Sequence, residues 1–152
     1  MTLKERACGL GLGSCGVKQA KELMVSYGFK IYTANGSGQD LKALGNVPKY
    51  QLEGFDGFGG HRERALDCLA QNDEFMSYVE NIEEDIVFVL FGGGGSTGSG
   101  CAPILSELLL EKKDEEGKPV RTVCPVITLP AADEPIIKHK NAYQAVQELQ
   151  NI

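Results

Sequence analysis

The sequence predicts an α/β fold, in which a three-layer Rossmann-like, doubly wound and mainly parallel sheet carries helices on both faces. Short apolar segments alternate along the chain with segments of helical spacing. The segment 85–91, DIVFVLF, is continuously apolar after Asp85, as expected of a central parallel strand covered on both faces. Glycine-rich stretches directly follow such segments, where parallel strands end and ligands bind. A chain of 152 residues predicts one domain over 1–152.

The elements alternate between strand and helix from the start of the chain. The segment 6–12 is apolar and runs into glycines, and apolar residues then recur at helical spacing until Gly28, which can end a helix. The segment 62–82 carries one long amphipathic pattern. We expect strands over 6–12, 29–34, 49–54, 85–91 and 120–130, and helices over 16–28, 40–45, 62–82, 101–113 and 139–152.

Composition excludes several classes of protein. The formal net charge is -6 and the chain has no run of lysine and arginine, which argues against direct binding of nucleic acid. The five cysteines are scattered and form no CxxC pair, so neither a disulfide framework nor a zinc site is expected, and a reducing cytoplasm is the simplest setting. No apolar run approaches the ~20 residues of a membrane helix, so no membrane contact is expected.

Three glycine-rich segments predict a site for phosphate groups. They cover Gly9–Gly16, Asp56–Arg62 and Gly92–Gly100. Glycine lets backbone N–H groups approach an anion, and a helix that follows adds the positive end of its dipole. A flexible linker is the alternative for the third segment, but linkers are flanked by polar sequence rather than by a core strand and a core helix.

Known phosphate-binding patterns narrow the class of site. No segment matches GxxxxGK[ST], which excludes the usual P-loop nucleotide triphosphatase. The segment 11–16 satisfies GxGxxG, the dinucleotide-binding fingerprint. That fingerprint also expects an acidic residue after the second strand, where this chain has Asn35. A dinucleotide-binding Rossmann protein of the NAD type therefore stays as a less favoured alternative.

The order of these motifs resembles the tubulin and FtsZ superfamily. The segment 94–100, GGSTGSG, resembles the signature GGGTGSG, from which Ser96 departs. The segment 13–16 resembles the first phosphate loop of tubulins, and 33–44 resembles the loop after their second strand. Bacterial and phage tubulins of the TubZ type are similar in GFDGFGGHRERA and in TLPAADEPIIKHKNA. The resemblance implies a GTPase that polymerises head to tail and moves plasmid or phage DNA or positions phage particles.

The resemblance also implies roles for single residues toward GTP or GDP with Mg²⁺, and it assigns neither a catalytic residue nor a protein ligand for a metal. It places one group of residues near the α- and β-phosphates, a second near the γ-phosphate, a third along the phosphate chain and a fourth at the ribose, and it adds Asn35 after the second strand. The group near the α- and β-phosphates is Gly13, Ser14, Cys15 and Gly16, and the group near the γ-phosphate is Gly57, Gly59, Gly60 and Arg62. The group along the phosphate chain is Gly94, Gly95, Ser96, Thr97, Gly98, Ser99 and Gly100, and the group at the ribose is Glu134 and Lys138.

Each side-chain role has a plainer alternative. Thr97 and Ser99 can cap the following helix instead. Arg62 can belong to a solvated run of charges, and the pair Glu134 and Lys138 to an ordinary polar loop. Ser96 replaces a glycine, which would cost about 1 kcal/mol if the position required a positive φ.

The resemblance further implies a larger protein than this chain. In the superfamily a central helix follows, and then an acidic loop that completes the active site of the next subunit. We expect that helix, that loop and the C-terminal domain to be absent here, so the isolated chain would hydrolyse little GTP. Partners are then copies of the full-length protein and a possible DNA-bound adaptor. The alternative is a short, non-catalytic tubulin-like module that binds nucleotide or caps a filament.

Overall fold

The computed structural model describes residues 1–46, 49–53 and 61–152, apart from the side chain of Asp40. Strands and helices alternate along these residues, as the sequence predicts. The strands are β1 (Ala7–Leu12), β2 (Lys30–Asn35), β3 (Tyr50–Gln51), β4 (Ile86–Gly92) and β5 (Thr122–Thr128). The helices are α1 (Leu3–Arg6), α2 (Gly13–Tyr27), α3 (Gly38–Lys42), α4 (Arg62–Leu69), α5 (Asp73–Glu80), α6 (Thr97–Glu111) and α7 (Ile136–Gln150).

The strands form one parallel sheet in the order β3-β2-β1-β4-β5. Leu12, the last residue of β1, pairs with Ala34 of β2 on one side and with Phe91 of β4 on the other. Gly92, the last residue of β4, pairs with Thr128 of β5. The chain leaves β1 toward β2 and later returns to the other side of β1 with β4. A crevice therefore opens between the ends of β1 and β4, the usual ligand position in such sheets.

Alternating residues of the central strands face two separate cores. Leu10 and Leu12 of β1 belong to the larger core, which also contains residues of α4, α5, α6 and α7. Val17 and Ala20 of α2 pack with residues of β2 and β4 in a smaller core on the opposite face. Helices thus cover both faces of the sheet, which confirms the predicted three-layer arrangement.

The single long helix predicted over 62–82 is wrong, because the chain forms two helices there, α4 and α5. Asn72 lies between them and its side chain binds the backbone of Glu53: Nδ2 donates to the carbonyl oxygen at 3.1 Å, and Oδ1 accepts from the N–H at 3.0 Å. Its Nδ2 also donates to the carbonyl of Cys68, the acceptor that the N–H of Asn72 would use in a continuous helix, so the side chain competes with the helical bond of its own segment. The amphipathic pattern runs across the break because both helices bury apolar residues in the same core.

Four helices begin earlier than predicted. Helix α2 begins at Gly13, α3 at Gly38, α6 at Thr97 and α7 at Ile136, whereas the sequence places their starts at 16, 40, 101 and 139. In α2 and α6 the first turn consists largely of glycine and serine, which are typical of loops, whereas in α7 it consists of Ile136, Ile137 and Lys138. The predicted end of α2 is confirmed: Gly28 has φ of 73° and its N–H donates to the carbonyl of Met24.

The opposite end of the sheet, where the strands begin, carries charged pairs. The guanidinium of Arg6 lies 2.7 Å from a carboxylate oxygen of Asp85, and Lys30 lies 3.0 Å from Glu84. Burial raises the pKa of the nearby Cys8 thiol to about 12. We call this end the amino edge, and the end with the crevice the carboxyl edge. Among the described residues no helix has the length and apolar character that spanning a membrane requires.

Candidate functional site

A cleft of about 760 Å³ lies at the carboxyl edge. The first turn of α2, the segment between β4 and α6, the end of β5 and the first turn of α7 form its walls. Its lining consists of Leu12, Gly13, Ser14, Cys15, Asn35, Ser37, Gly92, Gly94, Gly95, Ser96, Thr97, Gly98, Thr128, Leu129, Pro130, Glu134, Ile137 and Lys138. The cleft therefore lies at the predicted position, where the central strands end.

The junction of β1 and α2 forms one wall. Gly13 has φ of 72°, a conformation that glycine adopts without strain, so the strand passes directly into the helix. A Cβ on Gly16 would overlap the carbonyl oxygen of Leu90, so only glycine lets α2 pack this closely on β4. Ser14 and Cys15 consequently line the cleft, and the side-chain amide of Asn35 donates to the Ser14 hydroxyl at 3.3 Å.

The junction of β4 and α6 forms the facing wall. The N–H of Gly93 donates to the carbonyl of Thr128 at 2.8 Å, which continues the sheet past the end of β4. Ser96 has φ of -87° and ψ of -46°, so it takes an ordinary helical conformation. The position does not require a positive φ, and Ser96 in place of glycine carries no backbone strain.

Gly95 differs from the other glycines of this wall. A Cβ on Gly98 would come within 2.8 Å of the carbonyl oxygen of Leu12, so packing requires glycine there. At Gly95 the nearest described atom to such a Cβ is the carbonyl oxygen of Gly92 at 3.6 Å, an ordinary contact. The φ of Gly95 is not positive either. Neither packing nor conformation requires glycine at 95, and the space in front of it belongs to the cleft.

The third wall comes from the segment after β5 and from α7. Lys138 donates to Oε1 of Glu134 at 3.0 Å, and Oε2 accepts from the N–H of Ala131 at 2.6 Å. The Lys138 ammonium and the Ala131 N–H hold the pKa of Glu134 below its usual range. Asn141, buried on α7, donates its side-chain amide to the carbonyl of Gly94 at 3.3 Å, which fixes α7 against the glycine segment.

The electrostatics of the cleft favour an anion. Helices α2 and α6 both point their N-terminal turns into it, and neither turn contains an acidic residue. The first N–H groups of a helix have no partner within the helix and carry the positive end of its dipole. Two such turns from adjacent strands therefore present backbone donors to one space, which is the arrangement that binds phosphate groups.

The cleft also has an apolar part. Leu129 and Ile137 line it and are 64% and 43% exposed, and Pro130 lines it beside Leu129 in sequence. The described residues contain no group of three His, Cys, Asp or Glu side chains that could hold a metal ion. The lining thus combines polar backbone donors with an apolar surface, as is common in ligand sites.

The structure brings most of the predicted site residues to this cleft. It collects Gly13, Ser14, Cys15, Asn35, Gly94, Gly95, Ser96, Thr97, Gly98, Glu134 and Lys138. Gly16, Ser99 and Gly100 lie in the helices behind the lining and are fully packed. Gly57, Gly59 and Gly60 lie outside the described residues.

Three side-chain interpretations change. The capping role of Thr97 and Ser99 is wrong, because Ser96 is the N-cap of α6 and the two residues lie inside the helix. Arg62 is not an exposed charge, since only 7% of it is accessible. Its guanidinium binds Glu148 and the carbonyl of Ser99 instead of entering the cleft.

Sequence reasoning missed part of the lining. The residues concerned are Ser37, Thr128, Leu129, Pro130 and Ile137, while Leu12 and Gly92 belong to the predicted segments Gly9–Gly16 and Gly92–Gly100 but had no individual role. Leu12, Gly92 and Thr128 are the last residues of their strands, so the rule that ligands bind at strand ends would have identified them. Ile137 gave no such signal, because the predicted start of α7 lay beyond it.

Comparison with known proteins identifies homologues over nearly the whole chain. Tubulin-like protein CetZ of Pyrococcus horikoshii is 30% identical over 97% of this chain and 42% of its own length. Cell division protein FtsZ 1 of Pyrococcus abyssi is 29% identical over 97% of the chain and 39% of its own length. Tubulin-like protein TubZ of Bacillus cereus is 26% identical over 98% of this chain and 36% of its own length. The chain spans about two fifths of these curated relatives. No family model matches it.

Solved structures agree. TubZ of Clostridium botulinum phage c-st superposes with a TM-score of 0.84 at 24% identity, over 99% of this chain and 50% of that one. CetZ1 of Haloferax volcanii, a GDP-bound monomer, superposes with a TM-score of 0.79 at 26% identity, over 95% of this chain and 47% of that one. CetZ2 of the same organism, a GTPgS-bound protofilament, has a TM-score of 0.79 at 25% identity, over 96% of this chain and 46% of that one. The resemblance to the tubulin and FtsZ superfamily, TubZ included, is confirmed.

Proposed function

Because the homologues of this chain are tubulin-like proteins of the CetZ, FtsZ and TubZ kinds, we propose that residues 1–152 form the nucleotide-binding domain of a filament-forming GTPase. The cleft at the carboxyl edge binds GTP and GDP. The observation that supports this most is the convergence of two helix N-terminal turns on one cleft, with Gly95 leaving space that the fold itself does not need.

The two kinds of lining surface, backbone N–H donors and apolar side chains, orient the nucleotide. The phosphates lie over the backbone N–H groups of 13–15 and 95–98, because those groups supply hydrogen-bond donors to an anion. The sugar and base lie toward Leu129 and Ile137, which present apolar surface. Glu134 lies beside the ribose, where its carboxylate can accept a hydroxyl hydrogen bond.

The residues present fit a magnesium ion that arrives with the nucleotide. Among the described residues that line the cleft, Glu134 is the only carboxylate, and Lys138 and the Ala131 N–H already bind it. Mg²⁺ is commonly bound through one or two protein oxygens together with substrate phosphates and water. Thr97 has a hydroxyl in the cleft that could serve in this way. The ion would neutralise charge on the phosphate oxygens.

Related structures support the choice of guanine nucleotide and of self-association. One CetZ carries GDP as a monomer, and another carries GTPgS in a protofilament. We extend both properties to the protein that contains this domain, which would assemble head to tail. Hydrolysis of GTP would then need an acidic loop supplied by the neighbouring subunit, so the domain alone binds nucleotide without turning it over.

The cellular role that we propose follows the TubZ branch. A TubZ structure with the same fold comes from a phage, and the structural likeness covers 99% of the present chain. The filament would move plasmid or phage DNA or position phage particles in the cytoplasm of a bacterial host, through a DNA-bound adaptor rather than by direct contact. Co-sedimentation of the filament with plasmid DNA, with and without the adaptor, tests this role.

Calorimetry with purified protein tests the proposed function. GDP and GTP in Mg²⁺ buffer should each give a saturable heat with one site per chain, and ATP should serve as the control for base selectivity. Absence of heat with both guanine nucleotides would overturn the proposal. A phosphate-release assay on the same sample separates the two hypotheses of the sequence: steady turnover by this chain alone would contradict the need for a neighbouring subunit.

The non-catalytic capping module remains the second candidate function. It shares the cleft and the nucleotide, but it predicts that the chain blocks assembly instead of extending it. Mixing this chain with a polymerising CetZ or TubZ would show the difference, since a module lowers the polymer yield at substoichiometric amounts.

A further inference from the structure

Helix α6 contains a proline that interrupts its hydrogen bonding beside the cleft. In an α-helix the carbonyl of Ser99 would accept the N–H of residue 103. Residue 103 is a proline, which has no N–H and whose ring crowds that carbonyl. The acceptor, Ser99, lies on the first turn of α6, and Thr97 and Gly98 of that same turn line the cleft. The helix therefore lacks one of the bonds that would join its first turn, which faces the cleft, to its second.

Arg62 supplies the missing donor from another helix. It lies at the start of α4, and its Nη2 donates to the carbonyl oxygen of Ser99 at 2.8 Å. Its own backbone carbonyl lies within 2.7 Å of where a Cβ of Gly100 would be, so glycine at 100 permits this close approach. A hydrogen bond from a charged donor is stronger than one between neutral groups, and burial strengthens it further.

Glu148 of α7 holds the guanidinium in place. Nη1 of Arg62 donates to Oε1 at 2.8 Å and Nη2 donates to Oε2 at 2.6 Å, which is a two-pronged contact. The arginine side chain is 8% exposed and the glutamate 47%, so the carboxylate neutralises a buried charge from the protein surface. Arg62 thus connects α4, α6 and α7, and the last two of these helices both line the cleft.

Resting on the proposed function, we propose that Arg62 is a positioning residue for nucleotide binding. It takes the place of the N–H that Pro103 lacks, and it holds the first turn of α6 in the conformation that places Thr97 and Gly98 in the cleft. It does so without contact to the nucleotide. Its removal lets this turn shift, which weakens binding even where the fold persists.

Three variants test the proposal. Arg62→Met removes the donor and the charge and keeps an unbranched side chain in the buried space. Arg6→Met is the matched control, because Arg6 also pairs with a carboxylate, Asp85, but at the amino edge. Arg62→Met/Pro103→Ala returns an N–H at residue 103, which can donate to the Ser99 carbonyl as in an ordinary helix. Pro103→Ala alone is the reference for that double variant.

The first measurement is GDP affinity by calorimetry. Arg62→Met should weaken binding by about tenfold, the effect of losing one charge-assisted hydrogen bond. Arg6→Met should leave the dissociation constant unchanged. The double variant should recover most of the loss, a rescue that a general loss of stability would not produce. Equal affinity in Arg62→Met and the unaltered chain, or no rescue by Pro103→Ala, would overturn the proposal.

The second measurement is hydrogen exchange without nucleotide. The N–H of Gly100 donates to the carbonyl of Ser96 at 3.0 Å, so its exchange reports on the first turn of α6. Arg62→Met should speed this exchange and Arg6→Met should not. If the unaltered chain binds no nucleotide, the proposed function fails, and unchanged exchange at Gly100 would overturn the positioning role independently. Should Arg62→Met not fold, Glu148→Gln must show the same changes in smaller degree, or the proposal is wrong.

Discussion

The junctions that lead from β1 into α2 and from β4 into α6 look alike in sequence but differ in what requires their glycines. At the first, Gly13 has a positive φ and Gly16 packs against the backbone of β4, so the fold needs both residues. At the second, Gly98 is equally necessary, whereas Gly95 has free space in front of it. Glycines in such a segment therefore serve either close packing or space for a ligand, and the structure shows which glycine serves which.

The largest effect is expected at Gly16. In Gly16→Ala the new methyl group would overlap the carbonyl of Leu90, and backbone cannot move aside as a flexible side chain can. We expect the free energy of unfolding to fall by about 3 kcal/mol, the upper range for overpacking. Urea denaturation measures it. Since alanine has the higher helix propensity, by about 1 kcal/mol, a variant as stable as the original chain would contradict the described packing.

Gly95→Ala is the matched counterpart and should do the opposite. Its methyl group has room in the protein, so the free energy of unfolding should change by less than about 0.5 kcal/mol. The same methyl group would occupy space that the phosphates need, so GDP affinity should fall by about tenfold or more, because backbone donors could no longer reach them. Calorimetry and urea denaturation of one preparation give both values. Unchanged affinity would show that this junction serves packing alone.

The comparison also explains how far the sequence could predict the fold and the site. The continuous apolar run in β4 predicted a central strand, and the order of glycine segments predicted where the cleft lies. The starts of α2 and α6 could not be predicted, because Gly16 in α2 and Gly98 and Gly100 in α6 lower helix propensity while tertiary contacts require them. The buried ion pair of Arg62 could not be predicted either, because its partner Glu148 lies 86 residues away in sequence.

An effect of intermediate size is expected on the reactivity of two cysteine thiols, one inside the cleft and one outside it. Cys15 lines the cleft beside α2, while Cys124 is equally half-buried but lies in β5 outside it. Both should react with a thiol reagent. GDP at about ten times its dissociation constant should slow the reaction of Cys15 by about tenfold and leave Cys124 unaffected. Mass spectrometry of the labelled peptides gives the two rates. Equal slowing at both residues would indicate a general change in the protein instead of a ligand over α2.

The smallest effect concerns Glu134 on the third wall. Lys138 and the Ala131 N–H lower its pKa in the folded state, so its contribution to stability is present above the unfolded-state value of 4.5. The contribution is lost as pH falls through the lowered folded-state pKa. Glu134→Gln removes it, so the difference in unfolding free energy between the two proteins should shrink on acidification. A difference that stays constant from neutral to acidic pH would refute this contact.

The most direct test of the nucleotide site is a titration of the isotope-labelled chain with GDP, followed by the backbone amide signals in NMR spectra. The account predicts saturable shifts concentrated at 13–15 and 94–98, with the amino edge unaffected. The β1–α2 and β4–α6 junctions should respond at the same GDP concentration, because the phosphates of one GDP molecule contact both. Shifts confined to the amino edge, or none at all at millimolar GDP, would contradict it.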